Sequence, residues 1–430
     1  MKPLLIKNGT VVTMNPLRET LAADILIENN KIKKIGKNLK IPSAQIIEAK
    51  NTWVLPGLIQ THVHLCQTLF RNQAEDLELL DWLKEKIWPL EGGHTEKSVF
   101  LSAQLGIAEL LKSGTTTILD MGTVHHTDQI FKACEELGIR AFSGKAMMDE
   151  GNDIPRGLQE STQDSLKETK RLIEKWHGAA QGRLKYALAP RFVLSCSEKL
   201  LREVQKIAQE KNLLIHTHAS ENKKECEEVQ KQKGKTTIGY LHQLGLCGPH
   251  SSFAHGVWLN DEELEILSKT KTNISHCPSS NLKLGSGIAN TPKMLEQGIN
   301  VGLGADGAPC NNNLDIFQEM RLAALIQKPL RGVKTLSSQT VFEMATLKGA
   351  KALGLEQEIG SIEVGKKADI VLVSKNVLHA LPNSDPYTTL VYSTPASDVQ
   401  TVIVDGKVVV KNRKILTTSE EDLLDSINFS

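Results

Sequence analysis

The chain has 430 residues, 40% of them apolar and 23% charged, with a formal net charge of +1. That length fits one large domain with a smaller companion, and the composition is ordinary for a soluble globular protein. The balanced charge excludes an electrostatic footprint for nucleic acid or an anionic membrane, so neither is an expected partner.

The chain opens with MKPLLIKNGTVV, where polar residues interrupt the apolar run too early for a signal peptide. No stretch is long enough to span a bilayer. The seven cysteines are scattered and contain no C-x-x-C pair, which points to reduced thiols and a cytoplasmic location.

Residues 1–55 read as short strands. Asn8-Gly9 and Asn29-Asn30 supply tight turns between runs that alternate apolar and polar. From 56 onward, apolar strand-like runs at 58–64, 115–121, 139–148, 184–191, 213–218, 251–257, 272–276 and 300–305 alternate with amphipathic helical patterns such as 96–112, 128–137, 198–210 and 261–267. Eight strands with helices between them form the pattern of a (β/α)8 TIM barrel. A doubly wound open sheet would want a glycine-rich phosphate loop after its first strand, and G-x-G-x-x-G is absent there. The chain ends as it begins: 370–373 is a strand, and 399–404, Asp405-Gly406 and 407–410 make a hairpin. The expected α/β architecture is a barrel at 56–359 with a small β-sandwich domain built jointly by 1–55 and 360–430.

His62 and His64 close the first barrel strand. Two residues apart, they share one face, although an isolated H-x-H more often packs than ligates. Barrel topology changes that balance, because the ends of separate strands converge on the C-terminal face. His218 ends the fifth strand and Asp306 the eighth, so His62, His64, His218 and Asp306 meet around one cation. Three imidazoles and a carboxylate suit Zn2+ with an open position for water; Fe2+ fits the same ligands. Zinc lowers the pKa of water from 15.7 to about 7, and a proton must then travel to the substrate. Glu221, three residues after His218, is placed to carry it; alone it would read as a first-turn glutamate favouring a helix dipole. His255, ending the sixth strand, orients or polarises the nucleophile, and Asp306 accepts its proton. His216, one pleat deeper than His218, reads as a packed or supporting residue. His276 lines the pocket or packs, and His94, His125 and His126 read as loop residues.

Taken together, Pro56-Gly57-Leu58-Ile59-Gln60-Thr61-His62-Val63-His64, His216-Thr217-His218-Ala219-Ser220-Glu221, His276-Cys277-Pro278-Ser279-Ser280-Asn281 and the stretch from Gly304 through Asp306 and Asn311-Asn312-Asn313 to Asp315 resemble the amidohydrolase superfamily. More narrowly, they are similar to its branch of 5'-methylthioadenosine/S-adenosylhomocysteine and 5'-deoxyadenosine deaminases. The resemblance covers essentially the whole chain. It implies one metal ion on the four ligands above, with Glu221 protonating the purine ring nitrogen beside the attacked carbon. It implies that Glu91 binds ribose hydroxyls, with Trp82 and Trp88 shaping the pocket beside it; read alone, Trp88-Pro89-Leu90-Glu91 is a helix end with a solvated glutamate. Arg191 and His218 complete the expected substrate contacts.

One stretch departs from the adenosine type, whose members commonly carry a histidine after the proline that ends the fourth strand. Here Ala189-Pro190 is followed by Arg191-Phe192. With Gly144-Lys145-Ala146-Met147-Met148-Asp149, that stretch is more similar to guanine deaminase, where the arginine contacts the purine. The leading reading is a hydrolytic deaminase of adenine nucleosides modified at the 5' position, which Glu91 and Asn311-Asn312-Asn313 favour. The alternatives are guanine deaminase, favoured by Arg191, and triazine-type hydrolysis on the same scaffold. A binuclear hydrolase wants a bridging lysine or glutamate from the fourth strand, and 186–190 offers neither. The other zinc deaminase design needs P-C-x-x-C, and Pro309-Cys310 has no second cysteine at that spacing. A barrel that merely binds would have lost a ligand or Glu221, and none is lost. The expected partners are a purine nucleoside or base and further copies of the chain in a homo-oligomer.

Overall fold

The structure is a computed structural model, and it describes residues 2–151 and 153–428. Among the described residues, eight strands form a parallel barrel: Leu58–His64, Thr115–Met121, Arg140–Gly144 continued by Ala146–Met147, Leu184–Pro190, Leu214–Ala219, Ser251–His255, Asn273–His276, and Val301–Leu303 continued by Asp306–Gly307. The last strand closes the ring by splitting. Its first half pairs with the seventh strand and its second half with the first. The break falls at Gly304, where a Cβ would stand 2.6 Å from the His62 carbonyl oxygen. Only glycine lets the eighth strand pass this close to a metal-facing residue.

The intervening helices follow from capping and spacing. Glu96–Lys112 starts on a Thr95–Ser98 capping box. Its buried Val99, Ala103, Ile107 and Leu110 recur three and four residues apart and face the core. Glu198–Lys211 starts on the Ser197 side chain and ends at Asn212 in the left-handed conformation.

The two chain ends pair, as the strand patterns predict. Strands Leu4–Val12, Thr20–Glu28, Lys31–Gly36, Gln45–Glu48 and Thr52–Pro56 join Ile370–Ser374, Val399–Val404, Lys407–Lys411 and Lys414–Ile415 in one continuous, mostly antiparallel sheet. The seam is the antiparallel pair Thr52–Pro56 with Ile370–Ser374. Strand alternation assigns the faces. Val54, Ile370 and Leu372 belong to the sheet's own core with Ile6, Ile25 and Ile403. Trp53, Leu55, Val371 and Val373 point the other way and join the barrel core. Arg140 of the third barrel strand reaches this sheet, with Nε and Nη2 donating to the Asp369 carboxylate at 2.8 and 3.0 Å. Among the described residues, no helix is long and apolar enough to cross a membrane.

Candidate metal centre and active site

The four expected ligands converge. One donor atom from each of His62, His64, His218 and Asp306 lies within 4.8 Å of all the others. His62 Nε2 and His64 Nε2 stand 3.1 and 3.3 Å from Asp306 Oδ1, and His64 Nε2 stands 3.1 Å from His218 Nε2. Bonds on the far side of each ring set the tautomers. A carbonyl oxygen only accepts, so His64 Nδ1 donates to Met121 O at 2.9 Å and His218 Nδ1 donates to Arg191 O at 2.7 Å. His216 Nδ1 donates to Ser252 O at 2.8 Å, so its Nε2 accepts from His62 Nδ1 at 2.7 Å. Each neutral ring then turns an unprotonated Nε2 toward the common centre. Two such lone pairs 3.1 Å apart repel, and a shared cation converts that repulsion into ligation. Far-side bonds of this kind are how proteins orient histidine ligands.

Burial keeps the rings neutral. It pushes His62 and His64 down to about 4 and His216 down to about 3, and His218 well below its ordinary value. Burial pushes Asp306 the other way, but the surrounding imidazoles outweigh it and hold the carboxyl well below its usual range. Ser280 Oγ donates to Asp306 Oδ2 at 2.6 Å and the Gly307 N–H to Oδ1 at 2.8 Å. An ionised carboxylate beside three bare imidazole nitrogens fits a single divalent ion such as Zn2+ or Fe2+.

Glu221 and His255 face this centre from the side. His255 Nε2 lies 3.4 Å from Glu221 Oε2 and 3.9 Å from Asp306 Oδ2. His255 Nδ1 donates to Asn281 Oδ1 at 2.9 Å, leaving Nε2 as an acceptor. Burial, then the charges of Asp306 and Glu225, push Glu221 well above the ordinary glutamate value, which favours the protonated form that can give a proton. Ser220, His255 and Asp306 have φ of 53°, 76° and 65°. Side-chain-bearing residues adopt such angles at a cost of about 1–3 kcal/mol each, and they gather at functional sites.

The substrate side is assembled differently. A helix over 79–92 contains a π-turn at Leu83–Ile87 between regular turns, a feature common at functional sites. Its last turn carries Glu91, whose carboxylate is 2% exposed and pairs with both Nη atoms of Arg191, at 2.5 and 3.2 Å. Gln67 Nε2 donates to the same carboxylate at 2.8 Å. A cavity opens in front, walled by His64, His218, Glu221 and Asp306 at one end and by Gln67, Arg191, Trp82 and Phe192 toward the other. Glu91 stands behind Arg191 and Gln67 rather than on the cavity wall. Trp88 lines the neighbouring groove with Leu80 and Leu194.

Several residues escaped the sequence reading. Gln67 sits three residues past His64 in the turn Leu65–Phe70 that follows the strand. Glu225, one helical turn past Glu221, lines the cavity and accepts the Glu221 backbone N–H at 3.0 Å. Burial raises it to about 7. Both carried a usable signal, their spacing from a site residue. The pairing of Glu91 with Arg191, 100 residues apart, had none. His276 is buried, with neither ring nitrogen partnered among the described residues.

A closed parallel barrel with this ligand set and a raised carboxyl beside it defines the class: a metal-dependent hydrolase. The chain belongs to the amidohydrolase family, whose model matches residues 53–409. It is 42% identical over 423 residues to a 5'-deoxyadenosine deaminase of Methanosphaera stadtmanae, covering 98% of this chain and 96% of that one. It is 41% identical over 408 residues to a 5-methylthioadenosine/S-adenosylhomocysteine deaminase of Thermococcus sibiricus, covering 95% and 94%. A solved adenosine deaminase from Xanthomonas campestris with bound zinc superposes with a TM-score of 0.93 at 28% identity, over 99% of this chain and 97% of that one.

Proposed function

We propose that this chain is a hydrolytic deaminase of adenine nucleosides modified at the 5' position. Its substrates are 5'-deoxyadenosine, 5'-methylthioadenosine, S-adenosylhomocysteine and adenosine, and its products are the inosine analogue and ammonia. The observation that carries this reading is the buried Glu221 carboxyl 3.4 Å from His255 Nε2, beside three imidazole nitrogens turned to one point. The names of the full-length relatives support the substrate class. We assign one Zn2+ to His62, His64, His218 and Asp306, on the donor set and on the zinc in the Xanthomonas campestris protein.

When bound, the ion supplies Lewis acidity that brings the pKa of water from 15.7 to about 7. The chain's own groups do the rest. Glu221 gives its proton to the purine ring nitrogen beside the amino-bearing carbon, which makes that carbon electrophilic. His255 Nε2, fixed as an acceptor by Asn281, orients the attacking water. Asp306 takes one proton from that water and passes it to the amino group, which leaves as ammonia; the remaining proton on the attacking oxygen returns to Glu221 as the carbonyl forms. Arg191, neutralised by Glu91, offers N–H donors to the substrate, and Trp82 walls the cavity beside it. Glu91 acts on the ribose through this pair. The barrel at 56–359, the joint unit of 1–55 and 360–430, a homo-oligomer and a cytoplasmic location belong to the same proposal.

The free-base alternative, guanine deamination, rests on Arg191 at the cavity wall. Its bidentate pairing with Glu91 takes one N–H of each Nη group and balances its charge, which weakens that reading. A panel of the four nucleosides, guanine, cytosine and a triazine, scored by ammonia release as kcat/KM, decides. The expected result is turnover of the 5'-modified nucleosides well above every other compound. Preference for guanine or the triazine overturns it.

A further inference from the structure

The third barrel strand breaks at Lys145, where the sequence reads as one run, and the proposed chemistry does not use this residue. Its side chain is 1% exposed. Nζ donates to both Glu160 oxygens at 2.6 and 2.7 Å and to Ala146 O at 3.2 Å. A fully buried lysine is rare unless paired, and its loss leaves the partner's charge stranded. Glu160 lies near the end of a segment, 153–161, whose Asp153 and Ile154 line the groove beside Trp88. Its Oε1 also accepts the Met148 N–H at 3.1 Å, and Met148 Sδ touches Arg191 Nη1 at 3.6 Å.

The same segment holds the helix that carries Glu91. Asp153 pairs with Lys84 of the π-turn at 2.7 Å. Ile154 and Leu158 pack in one cluster with Trp82 and Trp88. Gly157 meets Gly92 backbone to backbone, so closely that a Cβ on Gly157 would collide with the Gly92 carbonyl. Gly92 directly follows Glu91.

We propose that Lys145 is a positioning residue for the substrate wall: its ion pair with Glu160 fixes 153–161, and that segment sets the helix end that brings Glu91 to Arg191. The kinetic arm of the test rests on the nucleoside reading above; the exchange arm does not.

Lys145→Met removes the charge and keeps the length, Lys145→Arg keeps the charge, and Lys145→Met/Glu160→Gln removes both charges and so guards against misfolding. In the folded single or double variant, KM for 5'-deoxyadenosine is expected to rise about tenfold, with kcat and metal content within about twofold of the parent. Lys145→Arg is expected to recover part of that loss. Hydrogen exchange is expected to speed up over 153–161 and over 88–92, while 58–64 stays protected. Faster exchange confined to 153–161, or an unchanged KM in an active folded variant, overturns the proposal. If no nucleoside is a substrate even of the parent, the nucleoside reading has failed, and the exchange pattern alone decides the role of Lys145.

Discussion

The metal-facing end of the cavity and its substrate-facing wall are held by different means. At the metal end, ligands come from strand ends, and bonds to Met121 O, Arg191 O and, through His216, Ser252 O orient the rings. The three histidine ligands thus rest on backbone carbonyls, and Asp306 on the Ser280 hydroxyl and the Gly307 N–H. At the wall, Glu91 comes from a helix with a π-turn, and it is fixed by one buried ion pair, by Gln67, and by a segment from another loop. A barrel backbone has few alternative arrangements, whereas a helix end held by side chains can shift. Lesions at the metal end should therefore abolish chemistry, and lesions at the wall should degrade binding and stability.

The largest effect expected is at the metal. His64→Ala should lose metal together with activity, and by more than the roughly 10–100-fold affinity loss typical when a supporting residue such as His216 is replaced. Metal analysis of both purified variants checks this; a metal-replete His64→Ala protein would place the ion elsewhere. Next, Glu221→Gln should keep its metal and fold while kcat falls by ~10² or more, because the proton donor is gone. Undiminished turnover would remove Glu221 from the chemistry.

At the wall, Arg191→Met strands the Glu91 charge in a buried site. About 3–5 kcal/mol of stability should be lost, read as a lower denaturant midpoint with metal content retained. Adding Glu91→Gln should return part of it. A single variant as stable as the parent would mean that the pair does not hold the wall.

The smallest effect is a pH shift. Glu221 is pushed up by burial, Asp306 and Glu225, so it is protonated below its raised pKa and kcat falls as pH rises through that value. Glu225→Gln removes one of the negative charges that raise it while keeping an oxygen for the Glu221 N–H. The falling limb of the pH–kcat profile should move to lower pH. A move to higher pH would contradict the direction of that interaction.

The same contrast explains what was legible in the sequence. Period-two alternation and strand order put His62, His64, His218 and Asp306 on one rim, because a barrel leaves strand ends no other place to go. The parity of His216 likewise gave its supporting role, one pleat below His218. The wall depends on facts that no periodicity encodes. A π-turn at Leu83–Ile87 re-aims the last helical turn, and Gly157 docks on Gly92 from a loop some 65 residues away. Arg191 reads in the sequence as a donor for the purine, and its buried pairing with Glu91 is visible only in the structure. The terminal strands were legible as strands, but their merger into one continuous sheet depends on the long-range pairing at Thr52–Pro56.

Everything at the reacting end depends on one ion drawing together the nitrogens of His62, His64 and His218 with the Asp306 carboxylate. The direct test strips the protein with a chelator and titrates Zn2+ back while following ammonia release from 5'-deoxyadenosine. Activity should vanish on stripping and return in full at one equivalent of zinc per chain. Undiminished ammonia release from the metal-free protein, or recovery only at two equivalents, would contradict a single-ion site on these four residues.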